Sequence, residues 1–447
     1  MNVTNPATEE VRQIIETPLH EIPGIVAEAR SASPSWRSVD VKKRAQIVAK
    51  LAPSLIAHAD VLANLITIDM GKPLRFAKKE VLSMADKVQY LCEQAPAWLG
   101  DEQCGEGIIR FDPLGVFAVI SPWNYPVYTA LTGVVHALLA GNSVVFKPSE
   151  CTLSTGIELN KLIRGIPELA GGVFLSVIGG KEHGKVLLQQ KVDGVFFTGS
   201  TAVGKVIAQE GAASLRRHIL ELGGMDAAIV LADADIERTA HEIVRTNARN
   251  SGQVCCSIKR VYVEDSVYEA FVKAAVVASN QITYGVPEGE FDMGPLVGEF
   301  QLAKIEAIVA DARKHGAQVL TGGQRPATRG YYYPSTVITG ATQQMRLLTE
   351  EPFGPLLPIM PISSLDEGIK RANDSCYGLT ASVWTTNKER GREIAARLDV
   401  GNVTINGHAA GGLGCPWGGA KESGVGRTNT KEGQRQFTNA KYIQEIF

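Results

Sequence analysis

The chain has 447 residues, enough for two or three domains of ordinary size. Charged residues make up 21% and nearly cancel. The 45 Lys and Arg against 47 Asp and Glu leave −2, which gives no footing for a nucleic-acid or polyanion surface. The seven cysteines are odd in number, scattered and without a C-x-x-C pair, so zinc-site and thioredoxin readings both fail. The polar start MNVTNPATEE carries no apolar signal core, and the expectation is a cytosolic protein with reduced thiols.

In chain order, residues 21–100 show apolar side chains at threes and fours, the period of amphipathic helices. Between Asp112 and Lys147 there is no charged residue, which a window scan reads as a membrane span. Prolines and a Gly-Asn pair divide it instead into a strand at 115–120, a helix at 127–139 and a strand at 143–146, a buried α/β unit with no membrane role. The short β-branched or aromatic runs VFAVI, SVVFK, VFLSVI and GVFFTG are each followed by turn residues and a helical stretch, as in a parallel sheet with crossover helices. A second such series runs from AAIVLADADI through RVYVED, QVLTGG, YYYPSTVI, LLPIMPI and TASVWTT to GNVTING. No repeat or flexible linker separates the two series, so they are expected to pack firmly together.

Five stretches carry candidate chemistry. In FTGSTAVG a strand runs into Gly199 and a helix starts near Val203. Gly199 and Gly204 would let backbone approach a phosphate held by Ser200 and free N–H groups, although G-x-G-x-x-G is absent. In VVFKPSE, Lys147 lies at the carboxyl end of a strand, where open α/β sheets bind ligands, and Glu150 could accept bonds from a ribose diol. In SPWNYP, Trp123 and Asn124 sit between prolines, and an Asn amide suits a developing oxyanion. In LELGGMDAAIV, Glu221 stands among apolar residues, where desolvation raises a carboxyl pKa toward that of a general base. In NSGQVCCSIKR, Cys255 and Cys256 follow an expected tight turn, and a thiolate there could be a nucleophile. Each stretch alone also fits an ordinary turn, cap or core filler.

Taken together, SPWNYP, AGNSVVFKPSE, FTGSTAVG, LELGG, NSGQVCCSIKR, MGPLV, EEPFGP, ANDSCYGLTASVW and PWGGAKESGVGR resemble the NAD(P)-dependent aldehyde dehydrogenase superfamily in order and spacing. The likeness covers nearly the whole chain and is nearest the shorter, succinate-semialdehyde-dehydrogenase-like branch. It implies an α/β aldehyde dehydrogenase-like fold. A variant Rossmann dinucleotide-binding domain would take 1–99 and 114–223, an α/β catalytic domain 224–420, and a small β oligomerisation arm 100–113 and 428–447. It implies that Cys255 attacks the aldehyde carbon, that Asn124 and the Cys255 N–H hold the oxyanion, and that hydride loss leaves a thioester. Glu221 would then activate water, favouring release of a free acid over transfer to coenzyme A. Lys147 and Glu150 would hold the adenosine ribose, Gly180 an adenine wall, Ser200 with Gly199 and Gly204 the pyrophosphate, Glu351 the nicotinamide ribose, and Phe353 and Trp123 the ring. A carboxylate at Glu150 would repel a 2′-phosphate, so NAD is expected over NADP.

Substrate-pocket positions by the same likeness are Tyr125, Tyr128, Thr129, Thr132, Val254, Cys256 and Trp417, with His408 in a loop at the rim and expected to be solvated. Succinate-semialdehyde enzymes carry an Arg eight residues after the Asn of PWN; here that residue is Thr132. Losing a charge-assisted donor weakens carboxylate binding by about 1.5–3 kcal/mol, roughly one to two powers of ten. A neutral aliphatic or aromatic aldehyde is therefore expected, with an ω-carboxylated aldehyde such as succinate semialdehyde as the alternative. No metal site is implied, since HEIVR at 241 is not H-E-x-x-H. The strand-like TNAKYIQEIF and GEGIIRFDP resemble an oligomerisation arm, so a homodimer or homotetramer is expected.

Overall fold

A computed structural model describes residues 1–408 and 412–446 of the chain. Residues 409–411 of the expected pocket-rim loop, and 447 at the end of the expected arm, lie outside the described residues. Two sheets organise the rest. The first has the strand order Gly424–Val425, Arg217–Glu221, Gly194–Thr198, Val116–Ile120, Ser143–Lys147, Phe174–Ser176. All neighbours are parallel except Gly424–Val425, which returns from late in the chain to pair antiparallel with Leu220 and Glu221. The second runs Gln318–Thr321, Thr336–Thr339, Leu356–Ile362, Ile258–Glu264, Asp226–Val230, Thr380–Trp384, Asn402–Ile405, with only the first strand antiparallel.

The charge-free stretch is the centre of the first sheet. Val116–Ile120 and Ser143–Lys147 are buried at every position, and the helix between them, Tyr128–Leu139, buries ten of its twelve residues. Strands covered on both faces need continuous apolar runs, which is what these sequences supply. Among the described residues no single helix is long and apolar enough to cross a membrane. The long helical stretch expected near 42–71 is broken into Val41–Ala49, Leu51–Ala57 and Ala59–Met70. With Leu74–Leu99 and Tyr128–Leu139 these helices bury Leu55, Leu62, Val88, Leu91, Leu131 and Val135 against Phe117, Val119, Phe196 and Ile219 of the sheet. The opposite face is covered by Ile22–Ser38 and Lys181–Gln189.

The arm is a three-stranded antiparallel sheet in which Gly107–Pro113 lies between Glu102–Cys104 and Thr438–Gln444. It starts at Thr438 rather than at 428, because residues 428–437 pack on the body. Phe437 is wholly buried, with its ring centroid 4.9 Å from that of Phe117 and 5.3 Å from His136. His136 Nδ1 is bonded to Gln434 Oε1 at 2.7 Å, and burial pushes its pKa down to about 3, so it is a neutral core residue.

Phe437 thus clamps the C-terminal strand to the sheet core. Phe437→Ala is expected to cost about 3–5 kcal/mol through a cavity at three aromatic contacts; an unchanged urea midpoint would refute the clamp.

Candidate active site

The backbone before the vicinal cysteines does what few sequences can do. After the helix Ile236–Ala248, Asn250, Ser251 and Gly252 all adopt positive φ, at 52°, 57° and 73°. Such conformations cost roughly 1–3 kcal/mol each for residues with a Cβ and persist only where surrounding structure holds them. At Gly252 a Cβ would lie 2.1 Å from the Gly354 carbonyl carbon, so only glycine fits between this turn and the EEPFGP loop. Gln253 pins the turn: its Nε2 donates to Asn250 O at 3.1 Å, and its Oε1 accepts from Val297 N–H at 2.8 Å. The expected tight turn is therefore present, and it delivers Cys255 half-buried and Cys256 buried.

The two neighbouring thiols shift each other in opposite directions: Cys256 is lowered beside Cys255, with Arg249 Nη2 4.0 Å from its sulfur, while Cys255 is raised by its neighbour and by burial. They therefore titrate as a pair. Lys259 bonds the Cys255 carbonyl at 2.5 Å and the Val254 carbonyl at 3.0 Å, fixing the backbone of the cysteine turn and adding positive field.

Asn124 meets this turn directly. Its Nδ2 donates to Gln253 O at 2.9 Å, which aims the amide at the cysteine turn and leaves its second N–H for an oxyanion. The Asn124 backbone carbonyl accepts from Lys72 Nζ at 2.8 Å and Asn250 Nδ2 at 3.2 Å. Lys72 is fully buried, ion-paired to buried Glu80 and seated 3.7 Å over the Tyr125 ring. Glu80 Oε1 accepts the N–H groups of Val127 and Tyr128 at 3.0 Å each, serving as an acidic cap for Tyr128–Leu139. Sequence reasoning missed this pair; its only signal was a lone Lys between Gly71 and Pro73.

Glu221 ends the strand Arg217–Glu221. It is buried, neither carboxyl oxygen has a hydrogen-bond partner, and burial pushes its pKa up to about 8 against opposing pulls from Lys87 and Arg427. The apolar context read from the sequence has the expected effect.

On the cofactor side, Trp123 and Phe353 meet edge to face at 5.3 Å. Glu351 Oε1 accepts Gly224 N–H at 3.1 Å and lies 3.2 Å from Lys259 Nζ. Its Oε2 fills the space where a Cβ on Gly223 would lie, 2.3 Å away. Lys147 is buried, donates to Pro148 O at 2.8 Å and lies 3.8 Å from the exposed Glu150 carboxylate. Gly180 caps the helix Lys181–Gln189 beside Glu150 Cβ, though the space of its missing side chain is taken by the Met1 thioether methyl. Ser200 caps Thr201–Ala212 by accepting Val203 N–H at 3.4 Å, so this helix start presents open donors where the sequence placed phosphates. Two glycines also answer to packing. A Cβ on Gly204 would strike Leu222, and one on Gly199 the Phe197 ring; the Gly199 N–H is bonded to Glu221 O at 3.1 Å. The free donors, the paired Lys147 and Glu150, and Glu351 beside the cysteine turn together fit a dinucleotide laid across the carboxyl ends of the first sheet.

Of the expected pocket residues, Tyr125, Val254, Cys256 and Trp417 cluster with Cys255, together with Leu379, which the sequence reading did not name. Thr129 Oγ1 bonds Tyr125 O at 2.7 Å. Tyr128 and Thr132 belong to a second group around Lys87, whose Nζ lies 2.8 Å from Thr132 Oγ1 and 4.5 Å over the Tyr128 ring. His408 is not a solvated loop residue. Its side chain is 0% exposed, Nε2 bonds the Cys256 carbonyl and lies 3.8 Å from Asp226 Oδ2, and burial lowers its pKa to about 4. Asp226, buried and bonded to Thr380, is pushed up to about 8 by desolvation. At neutral pH these two uncharged groups brace the backbone behind the vicinal cysteines.

The family profile described as "Aldehyde dehydrogenase family" matches residues 1–443. The chain belongs to the aldehyde dehydrogenase family. An aldehyde dehydrogenase of Paenarthrobacter nicotinovorans is 36% identical, covering 95% of this chain and 94% of the relative. A succinate-semialdehyde dehydrogenase [NADP(+)] of Deinococcus radiodurans is 35% identical over 95% and 90%. The solved aldehyde dehydrogenase of Mycobacterium tuberculosis complexed with NAD+ superposes with a TM-score of 0.95 at 32% identity, covering 100% and 94%. This aldehyde dehydrogenase is thus an oxidoreductase with the family's α/β fold, and it oxidises an aldehyde to a carboxylic acid with NAD(P).

In this aldehyde dehydrogenase the Lys72–Glu80 pair holds the Asn124 backbone. Lys72→Ala strands a buried carboxylate and is expected to cost about 3–5 kcal/mol, read as a lower urea midpoint together with a lower kcat. Wild-type values for both would show that the pair positions nothing.

Proposed function

We propose that this enzyme is a hydrolytic, non-acylating aldehyde dehydrogenase in which Cys255 is the nucleophile, Asn124 the oxyanion donor and Glu221 the base. The observation that carries the reading is Glu221, a carboxyl group buried without a partner and poised near neutral pH. The Cys255 thiolate adds to the aldehyde carbon, and the second Asn124 N–H with the Cys255 backbone N–H receives the negative oxygen. Bound NAD supplies the hydride acceptor. The resulting Cys255 thioester is attacked by water, Glu221 takes the water proton, the C–S bond breaks, and the acid leaves with the thiolate restored. Lys259 and Glu351 hold the cysteine turn against the cofactor side throughout.

The division into a dinucleotide-binding part (1–99 and 114–223), a catalytic part (224–420) and an arm remains part of this reading; the separate sheets support it. The outer edge of Thr438–Gln444 has no strand partner among the described residues, which supports strand pairing between subunits of a homodimer or homotetramer. A cytosolic setting accords with seven cysteines outside any disulfide. The aromatic wall of Tyr125 and Trp417 supports a neutral aliphatic or aromatic aldehyde. The ω-carboxylated alternative draws on the Deinococcus relative and on the Lys87 amine at Thr132.

Three expectations test the proposal. Cys255→Ala abolishes NADH formation across an aldehyde panel while Cys256→Ala retains it; the reverse pattern would move the nucleophile. Because Glu221 must be ionised to act, kcat should fall as pH drops through about 8, and Glu221→Gln should still give a first-turnover burst of NADH while losing sustained acid release. The Glu150 carboxylate should make kcat/KM higher with NAD than with NADP; parity between the two cofactors overturns that preference.

A further inference from the structure

Lys87 is a fully buried amine that the proposed mechanism does not use. It sits on the helix Leu74–Leu99, between the buried residues Met84 and Val88 that pack toward the first sheet. Its ammonium has three donors, yet one hydrogen bond is made, to Thr132 Oγ1 at 2.8 Å, with the Tyr128 ring face 4.5 Å away. Among the described residues no carboxylate lies within ion-pair distance of it. A buried ammonium so poorly matched is costly to keep.

Its complement faces it. Ile219 packs in the same core cluster as Val88, Leu91, Leu131 and Val135. Alternation along Arg217–Glu221 places Glu221 on the same side of the strand as Ile219, toward the helices that carry Lys87 and Thr132. Glu221 in turn has two buried oxygens without partners. Two buried groups of opposite charge, neither with an ion-pair partner among the described residues, thus lie on the same side of the first sheet.

We infer that Lys87 is a positioning residue for the proposed general base: its ammonium is the counter-charge that favours the ionised form of the Glu221 carboxyl group. The inference rests on the reading of Glu221 as the base. The other groups facing the carboxylate are Arg427 and Thr428, from the segment after Gly424–Val425. Arg427 Nη1 is already committed to the Gly419 and Gly426 carbonyls at 2.8 and 2.7 Å. Those facing Lys87 are Tyr128, Thr132 and His136, the last neutral. Burial lowers Lys87 to about 7 and the Glu221 charge raises it, while Glu221, raised to about 8 by burial, is pulled back by Lys87. The charged pair is therefore favoured over either ion alone.

The test uses the full-length enzyme with Lys87→Met, Lys87→Gln and Lys87→Arg. Lys87→Met removes charge but keeps volume, and Lys87→Gln keeps a donor to Thr132 should the first variant not fold. The readouts are the pre-steady-state NADH burst and the pH profile of steady-state kcat, with Glu221→Gln beside them. With its counter-charge gone, the carboxylate holds its proton to higher pH. The acid limb of kcat in Lys87→Met or Lys87→Gln is expected to move up by about one pH unit, with the burst rate within about twofold of the parent, and Lys87→Arg to restore the parent limb. An unmoved limb in both neutral variants overturns the inference while leaving Glu221 as base. An unmoved limb with KM raised selectively for carboxylated aldehydes assigns Lys87 to the substrate instead. Sustained acid release by Glu221→Gln at the parent rate overturns the reading beneath it.

Discussion

Between Ala248 and Cys255 the chain passes through three successive left-handed residues, and the third closes onto the Gly354 carbonyl. That turn is under local strain, so other contacts must hold it. Gln253 closes it from within, Asn124 bonds its carbonyl from the first sheet's loop, and Ser251 Oγ donates to Gly294 O at 2.8 Å. The Cys255 sulfur is thus placed by a convergence of both sheets. A rigid scaffold carrying a strained loop is the usual way to hold a nucleophile without letting the backbone relax.

The electrostatics around the turn follow one pattern. Buried ionisable groups come with a partner or lose their charge. Lys72 has Glu80, Glu351 has Lys259, and Asp226 and His408 are driven neutral by desolvation. Glu221 and Lys87 are the buried pair left without direct contact. In a low-dielectric interior an unmatched carboxyl group is expensive, and its persistence at the end of a core strand accords with a group kept for proton transfer.

Much of this was legible in one dimension. Short β-branched strands bounded by glycines, and helices with a 3.6-residue period, depend on local pattern, so both sheets were readable. Cys255, Asn124 and Glu221 stood out through the motif resemblance, since each stretch alone also fitted an ordinary turn, cap or core filler. Lys72 was not, being a lone Lys in a turn, nor were Glu80 and Lys87, since a Lys or Glu on an amphipathic helix ordinarily faces water, and only the packing of Leu74–Leu99 against Tyr128–Leu139 buries them. The packing demand at Gly199 and Gly204 was not legible for a related reason: the side chains that require their smallness, Phe197 and Leu222, are set by the packing of strand ends.

The sequence alone determined which elements form, which cysteine follows the turn and which carboxylate stands among apolar neighbours, because these depend on side-chain period and local environment. Tertiary structure decided which charges share a compartment: Lys72 with Glu80 beneath Asn124, and Lys87 across from Glu221. Burial and through-space field depend on distances between segments far apart in the chain, and no local pattern encodes them.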